Sequence, residues 1–572
     1  MAGSWVPVSE SDIGTRYQGT LANTFNGIVR IGNTEKYGVA VVGWSYSGFG
    51  NQAVSKSVIK VGATLLVPDS NGLLSTAADR LKPDAITNGG GSVVVADFNG
   101  DSYDDIVMLA HNESPFVPAP STVFWGNASG TFTKESLADK VMAHDAQFVI
   151  VDGKKQIFSG TFSSGQNDSG DYIPLPDAMI NPIYQFTNGT LVGTESPKIK
   201  KAAGDLPGVG GMTNTYIHGT STYSARFVAG DSNVPNSAGL CCDGRTSIFN
   251  FVSGDVTSSS PIQSFMPYLG TLDTYKSYLT GGQSPHVYRV YGKDLNNDGH
   301  DDILAAQSFW SQANNNWPSA LQILINDGTG RFNDATARLN PDMSLSTSEL
   351  GYTPKFVDLD GSGIESMLWD GSYSYNDPTP SRHSDYLILN DGTGRLYLAL
   401  HPEFLALSKS VQSFLQTQGY NPNGNTPSRL IGVPQSDGSL NYVAESGGIM
   451  QSATKKISQA AYFYVNVPLR YNPKTDFVAN ISISDRNNSQ RIRTWAGDDT
   501  ISDKNAATAT TIDGGLGNNK VTYSGPSTAY SVVKNADGTN TVTTTVAGSY
   551  PSVKDTLKNI QSVQFADKTV SL

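Results

Sequence analysis

Short apolar runs alternate with polar, glycine-containing segments along most of this chain. Val93-Val94-Val95-Ala96 and Ile106-Val107-Met108-Leu109-Ala110 enclose one polar segment, and Ile303-Leu304-Ala305-Ala306 follows another of the same kind. Apolar runs of about four to eight residues, bounded by turn residues, are typical of buried β-strands. The pattern therefore predicts an all-β protein built from many short strands.

The polar segments between these strands are acidic loops of one design, at 97–105, 294–302 and 358–366. Oxygen-bearing side chains stand at loop positions 1, 3, 5 and 9, and position 7 can offer its main-chain carbonyl. Ca²⁺ takes about six to eight oxygen ligands at flexible geometry, so the loops predict calcium sites. The predicted ligands are Asp97, Asn99, Asp101, Tyr103 and Asp105; Asp294, Asn296, Asp298, His300 and Asp302; and Asp358, Asp360, Ser362 and Ile364. The third site is predicted to be weak or empty, because Ser362 and Ser366 stand where the other loops have Asp.

A tight turn recurs downstream of the second and third loops. Asn326-Asp327-Gly328-Thr329-Gly330 and Asn390-Asp391-Gly392-Thr393-Gly394 each follow an apolar run. Asn, Asp and Gly tolerate the positive φ that hairpin turns need. Each unit thus predicts strand, acidic loop, strand, variable loop, strand, tight turn and strand, which is a propeller blade or a stacked solenoid element.

These loops and their flanking strands resemble the integrin-α-like FG-GAP or VCBS repeat of extracellular and bacterial surface proteins. That resemblance implies a calcium-binding β-propeller. Degenerate units elsewhere raise the predicted number of blades to seven, with residues 1–470 as the propeller. The candidate blades are 27–66, 92–135, 145–192, 221–256, 287–333, 352–397 and 428–468.

Composition and charge narrow the classes of partner. The formal net charge of −12 argues against a nucleic-acid or anionic-membrane partner, which would need a basic face. No apolar run reaches the roughly 18 to 20 residues of a membrane span. The two cysteines, Cys241 and Cys242, are adjacent, so they form no long-range disulfide framework. Two thiols and a vicinal disulfide both remain open for this pair.

The composition changes after Tyr471-Asn472-Pro473-Lys474, which has the turn chemistry of a linker. We predict a linker at 471–484 and a small Gly/Asp-rich β domain at 485–572. Its Asp513-Gly514-Gly515-Leu516-Gly517-Asn518-Asn519 is similar to the glycine-rich nonapeptide of calcium-binding β-helix proteins. Asn519 stands where that repeat has Asp, so calcium binding here is an open alternative.

The last residues, from Asp555 to Leu572, resemble the terminus of RTX proteins that Gram-negative type I systems export. That family carries an uncleaved C-terminal secretion signal. The first residues, Met1-Ala2-Gly3-Ser4-Trp5, lack the basic and apolar regions of a cleaved signal peptide, as this route would allow. The resemblance implies an extracellular or cell-surface protein whose partners include the type I secretion machinery.

Aromatic and polar residues recur after the strand that follows each loop. In an antiparallel blade these positions lie on the face opposite the metal loops. Rigid aromatics beside hydrogen-bonding side chains suit the CH faces and hydroxyls of a sugar. The predicted glycan or polysaccharide contacts are Trp44, Tyr46, His111, Asn112, Trp310, Trp369 and Tyr373. The alternative for each aromatic is that it covers the blade beneath it.

Catalytic motifs are missing from the sequence. It has no Gly-x-Ser-x-Gly elbow before a His partner, no His-Glu-x-x-His and no phosphate loop. The favoured interpretation is therefore a secreted, calcium-dependent carbohydrate-binding protein, a lectin or adhesin of a Gram-negative bacterium. The alternative is an extracellular polysaccharide lyase or hydrolase, which needs only a few convergent polar groups on a propeller scaffold.

Overall fold

In the computed structural model of the chain, the residues described are 5–7, 20–46, 58, 60–70, 72, 74–112, 116–162, 164–166, 172–175, 177–199, 213–232, 245–268, 286–308, 319–339, 355–358, 363–368, 386–400, 428–435, 440–451, 457–471, 482–485, 491–503, 509–546 and 550–572. Most of their regular structure is β-strand, which confirms the all-β prediction. Helix α1 (Thr336–Leu339) is a single turn, and Ala78–Arg80 and Ser527–Ala529 are 3₁₀ turns. Among these residues no helix is long and apolar enough to cross a membrane.

Among the described residues, seven mainly antiparallel sheets and one two-stranded hairpin follow one another as far as Tyr471. After β1 (Trp5–Pro7), sheet 1 contains β2 (Thr20–Arg30), β3 (Tyr37–Tyr46), β4 (Val61–Pro68) and β5 (Leu74–Thr76). The two-residue strands β6 (Leu81–Lys82) and β7 (Ile86–Thr87) follow. Sheet 2 contains β8 (Ser92–Ala96), β9 (Asp105–Leu109), β10 (Ala119–Gly126) and β11 (Phe132–Val141). β6 pairs with β11, and β7 pairs with β4.

Sheet 3 contains β12 (Ala143–Val151), β13 (Lys154–Thr161), β16 (Ile183–Thr187) and β17 (Thr190–Thr194), with the hairpin β14 (Ser164–Gln166) and β15 (Tyr172–Pro174) inserted. Sheet 4 contains β18 (Thr213–Ile217), β19 (Arg226–Ser232), β20 (Arg245–Val252), β21 (Asp255–Val256) and β22 (Gln263–Phe265). Sheet 5 contains β23 (His286–Lys293), β24 (Asp302–Ser308), β25 (Ser319–Asn326) and β26 (Phe332–Asp334).

Sheet 6 contains β27 (Lys355–Val357), β28 (Ser366–Leu368), β29 (Tyr386–Asn390) and β30 (Leu396–Leu400). Sheet 7 contains β31 (Ser428–Pro434), β32 (Leu440–Gln451) and β33 (Ile457–Tyr471), and β1 supplies its fourth strand. Trp5 stands opposite Val465, and Pro7 stands opposite Phe463. One sheet therefore joins the first strand described, β1, to β33, which ends at Tyr471.

Apolar side chains join neighbouring sheets. Trp125 of sheet 2 meets Phe186 of sheet 3 edge to face, with ring centroids 5.5 Å apart. Phe158 of sheet 3 lies 6.0 Å from Phe227 of sheet 4. The buried clusters connect the sheets in the order 7, 1, 2, 3, 4, 5, 6. Each fully buried large side chain contributes about 1.5 to 3 kcal/mol, so this packing holds successive sheets together.

A buried ion pair links the first strands of three sheets. Arg289 Nε of β23 lies 3.2 Å from Asp145 Oδ1 of β12, and the two side chains are 1% and 4% exposed. Thr213 of β18 donates its hydroxyl to Asp145 Oδ2 at 2.6 Å. Removing one partner of a buried pair typically costs about 3 to 5 kcal/mol, because the other charge is left uncompensated. The first strands of sheets 3, 4 and 5 therefore converge on one fixed polar contact.

The C-terminal residues form two further sheets, built largely of parallel strands. Their strands are β34 (Ser482–Asp485), β35 (Arg491–Arg493), β36 (Thr500–Asp503), β37 (Thr511–Asp513), β38 (Lys520–Thr522), β39 (Tyr530–Lys534), β40 (Asn540–Thr544), β41 (Lys554–Lys558), β42 (Ser562–Gln564) and β43 (Thr569–Ser571). From β34 to β38, successive strands alternate between the two sheets, so the chain winds as a coil. β34 begins at Ser482, inside the range predicted as a linker.

Candidate metal loops and ligand face

Each acidic loop connects the first strand of a sheet to the second. The first lies between β8 and β9, the second between β23 and β24, and the third between β27 and β28. The alternation of apolar and acidic segments in the sequence predicted this arrangement. The three loops therefore occupy the same topological position in sheets 2, 5 and 6.

The first two loops share one hydrogen-bond network. Asp97 Oδ2 accepts the amide of Ser102 at 3.3 Å, and Asp294 Oδ2 accepts the amide of Gly299 at 2.9 Å, in both cases from position 1 to position 6. The position-3 side chain accepts the amide of position 5, and the position-5 side chain accepts the amide of position 7. The residue types at these positions therefore impose one loop conformation twice.

The ninth position of each loop holds the loop onto the sheet. Asp302 Oδ2 accepts the amide of Leu295 at 3.0 Å, and its Oδ1 accepts the amide of Asn326 at 2.8 Å. Asp105 makes the matching bonds in sheet 2, at 2.9 Å each. Both carboxyls are fully buried, and burial raises the pKa of Asp105 to about 6 and that of Asp302 to about 8. A nearby cation would favour the charged form of both.

The third loop keeps part of this network. Asp358 Oδ2 accepts the amide of Gly363 at 2.9 Å, again from position 1 to position 6. Ser366 replaces the ninth-position Asp, and its Oγ accepts the amide of Asn390 at 3.1 Å. One of the two ninth-position bonds is thus retained by a neutral side chain. Asp360 and Ser362 lie outside the described residues.

The donor set of the first two loops fits Ca²⁺ in kind, since every predicted ligand is a side-chain or main-chain oxygen. In this structure the side-chain oxygens at positions 1, 3 and 5 accept hydrogen bonds from the loop amides. Lys155 also places its ammonium 3.1 Å from Asp97 Oδ2. Within the described part of the chain, no group of three or more His, Cys, Asp or Glu side chains is arranged to hold a metal. Calcium binding therefore remains a prediction.

Two asparagines of the tight turns support the loops, a role that the sequence did not reveal. Asn326 donates its side-chain amide to the carbonyl of Asp301 at 3.1 Å. Asn390 donates its own to the carbonyl of Leu295 at 2.9 Å, across the boundary between sheets 5 and 6. Hydrogen bonds between residues so far apart in sequence leave no local pattern. The recurrence of Asn-Asp-Gly-Thr-Gly was the only available signal.

The predicted ligand residues follow the second strands. Tyr46 is the last residue of β3 and Trp44 lies two residues before it, while in the sequence Trp310 stands two residues after the end of β24 and Trp369 one residue after the end of β28. The first and second strands of each of these sheets are antiparallel. The ends of the second strands therefore point away from the metal loops. The side chains of Trp44 and Tyr46, and the whole of Trp310, Trp369 and Tyr373, lie outside the described residues.

His111 and Asn112 are buried, at 2% and 0% exposure. Asn112 donates its side-chain amide to the carbonyl of Asn88 at 2.7 Å. The ring of His111 lies 5.8 Å from that of His144 and 5.7 Å from that of Phe162. These surroundings favour a structural role for the two residues between sheets 2 and 3, and their contact with a glycan stays a prediction.

Asn519 of the glycine-rich turn is fully buried, and its side-chain amide joins successive turns of the C-terminal coil. The amide donates to the carbonyls of Gly514 at 2.6 Å and Asn559 at 3.0 Å. Its Oδ1 accepts the amide of Asp499 at 3.0 Å. A cation at this point would have to displace the amide from the two carbonyls. The turn residues present therefore do not fit a metal at Asn519.

Comparison with known proteins confirms the repeat family in two parts of the chain. A model of the FG-GAP-like repeat matches residues 294–369, and one of the FG-GAP repeat matches residues 89–122. The matches contain the acidic loops of sheets 2, 5 and 6, so these two segments are similar to FG-GAP repeats, which supports a β-propeller fold. No curated protein matches the chain.

Two solved structures show only remote likeness. A variant of Bombyx mori GH32 beta-fructofuranosidase BmSUC1 in complex with sucrose is 11% identical, with a TM-score of 0.25 over 80% of this chain and 92% of that chain. Dihydro-heme d1 dehydrogenase NirN in complex with DHE is 10% identical, with a TM-score of 0.22 over 54% of this chain and 65% of that chain. At such scores neither similarity carries an argument about this protein.

Proposed function

We propose that the protein is a secreted, calcium-stabilised lectin or adhesin in which the seven sheets close into a seven-bladed propeller. Sheet 7 takes its fourth strand from the start of the chain, which supports closure because a ring leaves no long unpaired edge. The matches to FG-GAP repeats support the propeller fold. Because such repeats resemble those of extracellular and bacterial surface proteins, they also support secretion. The glycan is the proposed partner.

Calcium is proposed at the loops of sheets 2 and 5, and more weakly at that of sheet 6. Asp97, Asn99, Asp101 and Asp105, with the carbonyl of Tyr103, would hold one ion. Asp294, Asn296, Asp298 and Asp302, with the carbonyl of His300, would hold another. Support comes from the two buried ninth-position carboxyls, whose pKa values are raised without a cation. An ion that binds only the folded chain adds to its stability by mass action.

The observation that carries the binding proposal is the recurrence of aromatic residues at the ends of second strands. Trp44 lies near the end of β3, and in the sequence Trp310 and Trp369 stand shortly after the last residues of β24 and β28. In a closed ring the ends of the second strands would lie on one side, so aromatic residues at these positions, with their Ser, Gln and Asp neighbours, are the proposed glycan platform. Stacking on sugar rings and hydrogen bonding to hydroxyls are what this combination favours.

Export through a type I system is proposed for the C-terminal coil. The proposal rests on its glycine-rich turns and on the resemblance of the last residues to RTX termini. The alternating parallel strands are compatible with such a region.

A glycan array with the full-length protein tests the binding proposal. Trp310→Ala and Trp369→Ala should each weaken binding to any hit roughly thirtyfold, since a stacked aromatic contributes about 2 kcal/mol. Their melting curves with and without calcium should match those of the wild type. Wild-type binding by both variants would refute the proposed face. Accumulation of shortened or unsaturated products from a bound polysaccharide would instead establish the lyase or hydrolase alternative.

A further inference from the structure

Each acidic loop carries an acid at its eighth position, which is not among the predicted calcium ligands. These residues are Asp104, Asp301 and Glu365. Their side chains point in the opposite direction to the ninth-position side chains, which point into the sheet. Their sequence position beside a ligand suggests metal coordination, but the structure gives them another set of partners.

In all three loops, this acid contacts a basic residue of the preceding sheet. Asp104 Oδ2 accepts the main-chain amide of Arg30 at 2.7 Å. Asp301 Oδ2 lies 2.6 Å from His218 Nδ1 and also accepts the main-chain amide of His218 at 3.0 Å. Glu365 Oε2 lies 2.6 Å from Lys293 Nζ.

The basic partners share a topological position as well. Arg30 is the last residue of β2, Lys293 is the last residue of β23, and His218 directly follows β18. Each therefore stands at the end of the first strand of the sheet before the loop. The contact recurs between sheets 1 and 2, 4 and 5, and 5 and 6.

Additional contacts hold these basic residues against the next sheet. The guanidinium of Arg30 donates to the carbonyl of Ser102, at the sixth position of the loop. Lys293 Nζ lies 4.6 Å from the ring centre of Phe356 in sheet 6. The first strands of sheets 1 and 5 are thus tied to the next sheet by a second contact in addition to the one with the eighth-position acid.

We propose that Asp104, Asp301 and Glu365 are inter-sheet clamps, positioning residues that fix each acidic loop against the first strand of the preceding sheet. A loop held in this way keeps its oxygen ligands in a single arrangement before the ion arrives. The clamp therefore raises calcium affinity without contributing a ligand, and it makes the packing of two sheets respond to the ion. The calcium part of this inference rests on the proposed function.

The Asp301–His218 pair provides the sharpest test, because a double-mutant cycle isolates the interaction of two residues. Asp301→Ala, His218→Ala and the double variant are compared by calcium titration and by melting in chelator. Asp177→Ala, which removes an exposed acid outside the loops, is the matched control. Asp294→Ala, which removes a proposed ligand, is the positive control for loss of a site.

We expect Asp301→Ala to weaken calcium binding about fivefold or more while the number of bound ions stays the same. Asp294→Ala should bind one ion fewer. The effects of Asp301→Ala and His218→Ala on melting should not add in the double variant. If Asp301→Ala does not fold, Lys293→Met and Glu365→Gln provide the same cycle at a pair whose acid is more exposed.

Two results would overturn the proposal. Loss of one bound ion in folded Asp301→Ala would make Asp301 a ligand, and strictly additive melting effects would show that the pair is not a clamp. Failure of the calcium proposal is a separate outcome. In that case the wild type binds no ion, and the cycle measured in chelator still decides whether the clamp exists.

Discussion

The ninth loop position provides the most direct test of how these loops work, through the substitution Asp302→Asn. The two carboxyl oxygens of Asp302 accept the amides of Leu295 and Asn326 inside the protein. An asparagine has one acceptor oxygen, so its NH₂ group must face one of these amide hydrogens. A buried polar group without a partner costs about 1 to 3 kcal/mol, and this is the expected loss in the metal-free protein.

The expected loss is larger in calcium. An ion present at about one hundred times its dissociation constant stabilises the folded chain by about 2.7 kcal/mol for each site. Asp302→Asn should remove this contribution at one site, which brings the total loss to roughly 4 to 6 kcal/mol. Thermal unfolding of both proteins, in chelator and in excess calcium, measures the two parts separately.

Asp302→Ser is the matched control, because Ser366 fills this position in the third loop and retains the bond to the amide of Asn390. It should lose less stability in chelator than Asp302→Asn, yet show the same reduced response to calcium. An unchanged calcium response in both variants would refute the assignment of Asp302 as a ligand. A wild type that melts identically in chelator and calcium would refute the calcium proposal itself.

Three further outcomes are expected. Burial raises the folded-state pKa of Asp105 to about 6 and that of Asp302 to about 8, so in chelator the folded chain binds more protons than the unfolded chain. The melting temperature in chelator should therefore fall as the pH rises from about 4 to 8. Saturating calcium should flatten this dependence, and equal slopes in both buffers would contradict it. Asn519→Ala should reduce the free energy of unfolding of the C-terminal coil by about 1 to 3 kcal/mol, because the carbonyls of Gly514 and Asn559 lose their hydrogen-bond donor. Asn519→Asp should cause the same loss. Recovery of the stability of Asn519→Asp in calcium would show that this turn binds an ion. A chain ending at Lys474 should stay folded but remain inside the producing cell, and its normal export would reject the secretion proposal.

The loops could be predicted from the sequence because their chemistry is local. Asp and Asn side chains at fixed spacing accept hydrogen bonds from the amides of their own loop. Asp97 and Asp294, for example, each accept the amide of the sixth residue of the loop. The strands on either side could be predicted for the same reason, since short apolar runs bounded by turns admit few alternatives. The all-β class followed directly from these two patterns.

The partners of the eighth-position acids could not be read in this way. In the sequence, Asp104 stands beside the predicted ligand Asp105, and Glu365 stands in the same position beside Ser366. The structure turns Asp105 into sheet 2 and Asp104 toward Arg30, while Glu365 meets Lys293. Adjacent residues of an extended segment project in opposite directions, so their partners belong to different sheets.

The sequence by itself determined the repeat, the order of strands within it and the chemistry of the loops, because each depends on residues that are near neighbours along the chain. Only the tertiary structure decided which sheet supplies each distant partner. The pairing of β1 with β33, the buried contact of Asp145 with Arg289 and the amide links of Asn519 join segments about 40 to 460 residues apart. Such contacts depend on how the sheets pack in three dimensions, and no local pattern of residues specifies that packing.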